Sequence, residues 1–252
     1  MPTYRLDLAY DGSGFFGYAV QPNVRTVQGD LEKALEPHTG GATTYAAGRT
    51  DKGVHATEQV VSFTCDELDT ARVLRSLNSQ LRPEIAARRL SIVDDEFHAR
   101  FSATGRAYRY QIHNADVHDP LTASTVWTVT GSLDVRTMNE SIDPLVGIHD
   151  FAAFCRQHAG RPTVKELLWA RWRRRDDEVD LSIGAASFCH QMVRSIVAMC
   201  VEVGQGRVSV ARSTEAFRSL DRRQGYGVAP PHGLTLVAVA YDYDPLPKPG
   251  WV

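Results

Sequence analysis

The segment from Gly48 to His55, GRTDKGVH, places an arginine, an aspartate and a lysine between two glycines, with a histidine close behind. Asp51 could act as a nucleophile or a base only if it stayed ionised while partly withdrawn from water. That state requires a nearby cation and hydrogen bonds. Gly48 and Gly53 permit unusual backbone conformations, so we expect a sharply bent connection. An Asx turn or a surface cap is the alternative interpretation of Asp51.

Two arginines could supply the cation that Asp51 needs. Arg49 lies two residues before it, although its side chain could point elsewhere. Arg194 belongs to the apolar segment CHQMVRSIV, where a buried guanidinium would need an anionic partner. A pair between Arg194 and Asp51 would satisfy both requirements, and we expect it.

The segment DGSGFFG, residues 11–17, matches the glycine spacing of a dinucleotide-binding loop after a predicted strand. Such a site requires a helix that opens at the glycines and faces the pyrophosphate. Pro22 argues against an early helix. We therefore expect no small-molecule cofactor, and we predict a tight turn that presents Phe15, Phe16 and Tyr18.

The cysteines show no paired spacing, which favours reduced thiols in a cytoplasmic protein. A zinc site built from Cys155, His158, Cys189 and His190 is an alternative. Cys189 and His190 are adjacent, so their side chains should diverge, and the first two residues lack the spacing of a zinc knuckle. We predict no metal. The four cysteines are Cys65, Cys155, Cys189 and Cys200.

The composition is that of an ordinary globular protein, with 252 residues, 43% hydrophobic and 23% charged. The sequence contains no run of eighteen apolar residues, so it predicts no membrane span. The first ten residues lack the charged and apolar regions of a secretory signal. We expect a cytoplasmic protein without a membrane partner.

The net charge of −2 conceals an uneven distribution. Residues 155–223 carry 13 basic and 8 acidic side chains, and 24 of the 28 basic residues in the chain are arginines. Arginine binds phosphate and stacks on bases. In LLWARWRRR, Trp169 and Trp172 alternate with arginines, a pattern that suits nucleic acid. An edge strand protected by charge explains the same pattern.

Hydrophobic periodicity predicts two halves with the element order β-α-β-β-α-β, the ferredoxin-like unit. In the first half, strands are expected at YRLDLAY, TTYAAG, EQVVSF and IAARRLSIV, and helices after Thr26 and Thr70. In the second half, strands are expected at AYRYQIHN, LLWARWRRR, VDLSIGAAS and LTLVAVAYDY. Helices are expected around 135–142 and 190–203.

The predicted fold class is α+β. Two ferredoxin-like halves, residues 1–104 and 105–252, share a mostly antiparallel sheet with helices packed on one face. The N-terminal half carries the aspartate loop and the C-terminal half a basic RNA-binding surface. The cleft between the halves is the expected ligand site.

Five segments together resemble the TruA family of tRNA pseudouridine synthases, in the family's order and over most of the chain. They are YDGSGFFGYAVQPNVRTVQGDLEKAL, AAGRTDKGVHATEQVVSF, DDEFHARFSATGRAYRY, SFCHQMVRSIV and HGLTLVAVAYD. The GRTDKGVHA block is the most specific of them. This resemblance displaces the Asx-turn interpretation of Asp51.

The resemblance implies an isomerase that converts uridine to pseudouridine in the anticodon arm of tRNA, at positions 38–40, without cofactor or metal. Asp51 matches the catalytic aspartate and Arg194 the basic residue paired with it. Tyr108 matches the tyrosine that stacks on the base and moves a proton. Arg49 matches the arginine that fills the space of the flipped uridine. Leu234 matches an apolar residue near the pocket.

The resemblance also implies a homodimer whose basic surface spans the tRNA. The broad apolar stripe of the 190–203 helix is compatible with a dimer contact and equally with burial inside one subunit. One departure concerns the glycine-rich turn, where Gly17-Tyr18-Ala19 replaces the usual Gly-Trp-Gln and Gln21 lies beyond Val20. It puts substrate fit in question, rather than the chemistry.

Two other functions compete with this one. A noncatalytic tRNA-binding protein that retains the motif would bind tRNA without isomerising it. A nucleotide-cofactor enzyme would use GSGFFG and bind a nicotinamide or a flavin.

Overall fold

The computed structural model describes residues 1–156, 160, 162–243 and 245–250. The chain divides into two compact units, one of residues 1–104 and 235–245, the other of residues 105–234 with a short stretch from Leu246. The strands are β1 Thr3–Tyr10, β2 Tyr45–Ala46, β3 His55–Thr64, β4 Ile85–Val93, β5 Gly105–His113, β6 Trp127–Thr128, β7 Gly147–Asp150, β8 Val164–Arg175, β9 Glu178–Ala185 and β10 Leu234–Ala240. The helices are α1 Val27–Thr39, α2 Thr70–Gln80, α3 Val135–Ile142, α4 Met192–Gly204 and α5 Val210–Arg218.

The first unit has the strand order β4-β1-β3-β10. β1 pairs antiparallel with β3 and β4, β2 pairs antiparallel with β3, and β10 runs parallel to β3. Helix α2 packs on β4 and contacts α1. The short β2 and the longer β3 flank residues 47–54, so this ladder fixes both ends of the GRTDKGVH segment.

The second unit has the strand order β5-β9-β8-β7, all antiparallel, with β6 running parallel to β5. Helix α3 packs on α4, α5 and β8. Strands and helices are therefore combined in both units, and the predicted α+β class is confirmed. Each unit mixes antiparallel with parallel pairing.

Helix ends follow the local capping chemistry. Thr26 caps α1, since its hydroxyl accepts a hydrogen bond from Gly29 N–H, and Gly40 ends the helix in the left-handed conformation at φ 67°. For α2 the predicted cap, Thr70, is wrong by one residue. The Asp69 carboxylate accepts from Arg72 N–H and begins that helix.

Strand β1 is buried on both sides, although the alternation of apolar and polar residues in YRLDLAY is typical of a half-buried strand. The reason is a paired charge: Asp7 accepts hydrogen bonds from Arg5 Nε at 2.7 Å and from Arg89 Nε at 2.8 Å. Arg5 and Asp7 are each only 8% exposed. Pairing makes their burial tolerable, and sequence alternation cannot reveal it.

Helix α4 carries the broad apolar stripe that the sequence left open to two interpretations. Nearly all of its residues are buried within this one chain, including Met192, Ile196 and Val201. Burial inside one subunit therefore accounts for the stripe, which gives no support to a dimer contact.

Two cysteines correct the expectation of four reduced thiols. Cys155 and Cys189 form a disulfide, with 5.7 Å between their Cα atoms, whereas Cys65 and Cys200 are buried free thiols. The partners are 34 residues apart, so only the fold brings them together. Of the alternative zinc set, His158 lies outside the described residues. Among the described residues, no group of three or more His, Cys, Asp or Glu could hold a metal ion.

The aromatic and basic strand β8 uses its tryptophans in the core. Trp169 is 8% exposed and Trp172 is 2% exposed, so both rings pack mainly in the core. The adjacent Arg171, Arg174 and Arg175 lie at the surface. Within the described part of the chain, no helix is long and apolar enough to cross a membrane.

Candidate active site

Asp51 begins a tight turn. Its carbonyl oxygen accepts a hydrogen bond from Val54 N–H at 3.1 Å, and Gly53 adopts φ 76° at the third position. Glycine suits that position because a side chain would strain a left-handed backbone. The predicted bend is therefore present, and it leaves the Asp51 side chain partly exposed.

Gly48, the other glycine of the motif, does not adopt a left-handed conformation. Instead its backbone is held by the side chain of Gln59, which is fully buried. Gln59 Oε1 accepts from Gly48 N–H at 3.3 Å, and Gln59 Nε2 donates to the Gly48 carbonyl at 2.7 Å. A side chain on β3 thus supplies the backbone bonds that a strand partner would otherwise provide.

Thr50 is fixed from two other directions. Its hydroxyl bonds to the hydroxyl of Tyr10 at 2.9 Å, and its carbonyl oxygen accepts from Tyr18 N–H at 3.0 Å. Both tyrosine rings are buried. Tyr18, which stands where the resembling family usually has tryptophan, is therefore a core residue that anchors the residue before Asp51.

The glycine-rich turn packs directly against the far side of the same loop. A Cβ on Gly12 would lie 2.1 Å from the carbonyl oxygen of Val54, and Gly12 N–H donates to Nδ1 of the buried His55 at 3.1 Å. The first helix after these glycines begins only at Val27. The predicted tight turn is confirmed, and its glycines serve close backbone packing.

The turn presents only one of its three aromatic residues. Phe15 and Tyr18 are buried, whereas the ring of Phe16 is 46% exposed. The Lys52 ammonium lies 3.9 Å from the centroid of the Phe16 ring. Arg49 and Lys52, on either side of Asp51, are both exposed.

Burial governs the ionisation of Tyr10, the tyrosine that holds Thr50. Burial raises the pKa of Tyr10 to about 12, although hydrogen bonds with Thr50 and Gln59 oppose that rise. The phenol is therefore neutral at physiological pH and can both donate to and accept from its neighbours.

The candidate tyrosine in the second unit, Tyr108, lies on β5. Its ring is 9% exposed and meets Phe188 edge-on at 5.2 Å between centroids. The two rings therefore form an edge-to-face aromatic pair.

Arg194 lies in the first turns of α4 and is bonded to the segment that leads to β10. Its Nε donates to the Ala229 carbonyl at 2.8 Å, and Ala229 N–H donates back to the Arg194 carbonyl at 3.1 Å. Tyr110 donates its hydroxyl to the Pro230 carbonyl at 2.9 Å. Leu234, the apolar candidate, follows this segment and is 6% exposed.

Sequence reasoning missed several residues that position the Asp51 loop: Tyr10, Gly12, Thr50, His55 and Gln59. A signal existed for the last of them, because Gln59 follows Glu58 and precedes the apolar run VVSF, where a polar side chain must be satisfied if buried. No pattern in the sequence indicates which partners it has.

Comparison with known proteins places these features in a family. The model described as tRNA pseudouridine synthase matches residues 8–102 and 142–242. A tRNA pseudouridine synthase A from Cutibacterium acnes is 40% identical over 97% of this chain and 90% of its own length. Proteins of the same name from Geobacter sp. and Thermosipho africanus are 39% and 37% identical, each over 96% of this chain, and are covered over 99% and 100% of their lengths.

The match includes the glycine-rich turn, the Asp51 loop and the Arg194 helix. The predicted resemblance is thereby confirmed: this chain belongs to the tRNA pseudouridine synthase family.

Proposed function

We propose that this protein isomerises uridine to pseudouridine in the anticodon arm of tRNA, at positions 38–40. The observation that carries the proposal is the presentation of Asp51 on a buttressed turn in a chain that belongs to this family. The reaction breaks the N1–C1′ bond and forms a C5–C1′ bond. C5 loses its proton, and N1 gains one.

The uridine must leave the helical stack, since its glycosidic bond is unreachable within it. In our proposal Arg49 occupies the vacated space, Tyr108 stacks on the flipped base and moves the proton at C5, and Leu234 packs near the base. Arg194 is the basic partner of Asp51, as the family resemblance implies. Asp51 attacks the sugar, attacks the base or abstracts a proton from the sugar, three routes that share the need for a charged carboxylate.

The proposal includes the finer architecture and the setting of the enzyme. Each half of the sequence, residues 1–104 and 105–252, is ferredoxin-like in this proposal, with β10 of the second half pairing with β3 in the first compact unit. The C-terminal half offers a basic surface to tRNA. The exposed arginines of β8 support that surface. The enzyme acts as a homodimer in the cytoplasm, with no cofactor.

Tritium release from a tRNA transcript labelled at C5 of uridine tests the proposal. The wild type should release tritium, and Asp51→Ala should release none while keeping its thermal stability and its tRNA affinity. Asp66→Ala, a change at an exposed aspartate of the same unit, is the matched control. Release by Asp51→Ala at the wild-type rate would refute the proposal. A wild type that binds tRNA without release would favour the noncatalytic alternative.

A further inference from the structure

The exposed ring of Phe16 is held on a fixed backbone. Phe16 N–H donates to the Arg25 carbonyl at 2.9 Å, and the Phe16 carbonyl accepts from Gln21 Nε2 at 2.8 Å. A single exposed apolar side chain needs no explanation by itself. This ring lies beside the Asp51 turn, with the Lys52 ammonium 3.9 Å from its centroid.

Two surface arginines of the same unit, Arg25 and Arg88, already have carboxylate partners. Arg25 pairs with Glu84 at 2.7 Å, and Arg88 pairs with Glu58 at 2.8 Å. Within the described residues, neither Arg49 nor Lys52 forms an ion pair. These two positive charges are therefore available to an external anion, and the ammonium of Lys52 already lies over an exposed ring.

Backbone contacts join the Phe16 turn to the Asp51 turn. Tyr18 N–H donates to the Thr50 carbonyl, and a Cβ on Gly17 would lie 3.0 Å from that same oxygen. Phe16 and Lys52 therefore keep a constant position relative to the Asp51 backbone. Whatever binds them lies next to whatever Asp51 acts on.

We propose that Phe16 and Lys52 form a subsite for the nucleotide adjacent to the target uridine. The ring stacks on the base of that nucleotide, and the ammonium contacts its phosphate. A flipped uridine leaves its neighbour without a stacking partner, and aromatic rings with nearby cations are how proteins bind unstacked nucleotides. This inference rests on the proposed function, because it requires an RNA substrate.

A second exposed phenylalanine in the same unit provides a matched comparison. Phe101 is 75% exposed, and the guanidinium carbon of Arg100 lies 5.3 Å from its centroid. That ring packs on His98 at 4.4 Å, and the acidic residues 94–96 lie just before it in the chain. The local negative charge disfavours a phosphate there, so we assign the nucleotide to Phe16 alone.

Steady-state kinetics of tritium release test the subsite with the full-length protein and a C5-tritiated tRNA transcript. Phe16→Ala should raise KM about fivefold or more with little change in kcat or thermal midpoint, since base stacking contributes on that scale. Phe16→Trp should restore KM. For Lys52→Gln, log kcat/KM should fall less steeply with log salt concentration. The magnitude of the slope should decrease by slightly less than one, as expected for the loss of one phosphate contact.

Phe101→Ala and Lys33→Gln are the matched controls, since both residues are exposed on the same unit and we place neither in the site. Both controls should behave as wild type. The subsite would be overturned if Phe16→Ala were active with an unchanged KM, whether or not its thermal midpoint fell. It would also be overturned if Phe101→Ala raised KM as much as Phe16→Ala does. A wild type that releases no tritium would instead refute the proposed function.

Discussion

Gln59 binds both backbone polar groups of Gly48 from inside the core, through its amide oxygen at 3.3 Å and its amide nitrogen at 2.7 Å. Its nitrogen also donates to the Tyr10 hydroxyl at 3.2 Å. One buried amide therefore connects β1, β3 and the segment that leads from β2 to Asp51. Gln59 is a positioning residue, since it acts on Asp51 through the backbone.

Gln59→Leu should destabilise the protein by about 2 kcal/mol or more, because it leaves buried polar groups of Gly48 unsatisfied. It should also lower kcat more than it raises KM, since the Asp51 turn loses its anchor. Gln59→Glu should not recover the loss, because it would bury a carboxylate against the Gly48 carbonyl oxygen, which now accepts from Gln59 Nε2 at 2.7 Å. Urea denaturation and tritium release measure the two effects.

Gln80→Leu, on the exposed side of α2, is the control for this experiment. Wild-type stability and kcat in Gln59→Leu would show that the Gly48 bonds are dispensable.

The sequence predicted most elements of the fold, and the reason is local. Helices α1, α3 and α4 and the hairpin of β8 and β9 each carry a periodic apolar pattern and a turn or cap signal. Strands β6 and β7 and helix α5 were missed. The four-residue β7 has no periodicity to detect, and α5 has only three buried residues.

The sequence motif of the candidate site could be recognised in advance, but the side-chain contacts that hold its loop in place could not. Gly53 follows the rule that a turn needs glycine at a left-handed position. Gly48 obeys no such rule, because its partner is the side chain of Gln59, eleven residues away. Likewise the Cys155–Cys189 pair has no signature in its spacing, since only the packing of the second unit brings the two residues together.

Arg194 provides a second prediction. Arg194→Met should reduce kcat sharply, because it removes the basic partner that we propose for Asp51. It should also lower stability by about 1–3 kcal/mol, because the Ala229 carbonyl loses the hydrogen bond from Arg194 Nε. Arg194→Lys, which keeps the charge, should retain more activity than Arg194→Met.

Arg173→Ala is the comparison for Arg194→Met, as it removes one basic group from the proposed tRNA surface on β8. Its main effect should be a smaller salt dependence of tRNA binding, with kcat unchanged. Equal and small effects of the two substitutions would contradict the assignment of Arg194.

The raised pKa of Tyr10 predicts that the protein loses stability at alkaline pH. Because burial raises its pKa from the ordinary 10 to about 12, the folded state holds the phenolic proton over a range where the unfolded chain has lost it. Stability is therefore complete below pH 10 and falls as pH rises towards 12, by up to about 2.7 kcal/mol for a shift of this size. Tyr10→Phe should lose less stability over the same range. Urea titrations at pH 9, 10 and 11 measure the difference, and parallel curves for the two proteins would contradict it.

The last prediction compares two glycines of the DGSGFFG turn, Gly12 and Gly14, which have different surroundings. Gly12→Ala would place a methyl group 2.1 Å from the Val54 carbonyl, a backbone atom that cannot move without shifting the Asp51 turn. Overpacking of this kind should destabilise the protein by about 2 kcal/mol or more and depress kcat. Gly14→Ala would place its methyl group 2.5 Å from Glu84 Oε1 and 3.5 Å from Arg25 Nη1. Both are ends of side chains that can rotate, so this change should affect both quantities little. If the turn bound a nucleotide, alanine at either glycine should weaken nucleotide binding and leave the stability of the protein unchanged. Thermal denaturation with single-turnover tritium release distinguishes the cases, and equal stability of the two variants would show that Gly12 does not buttress the turn.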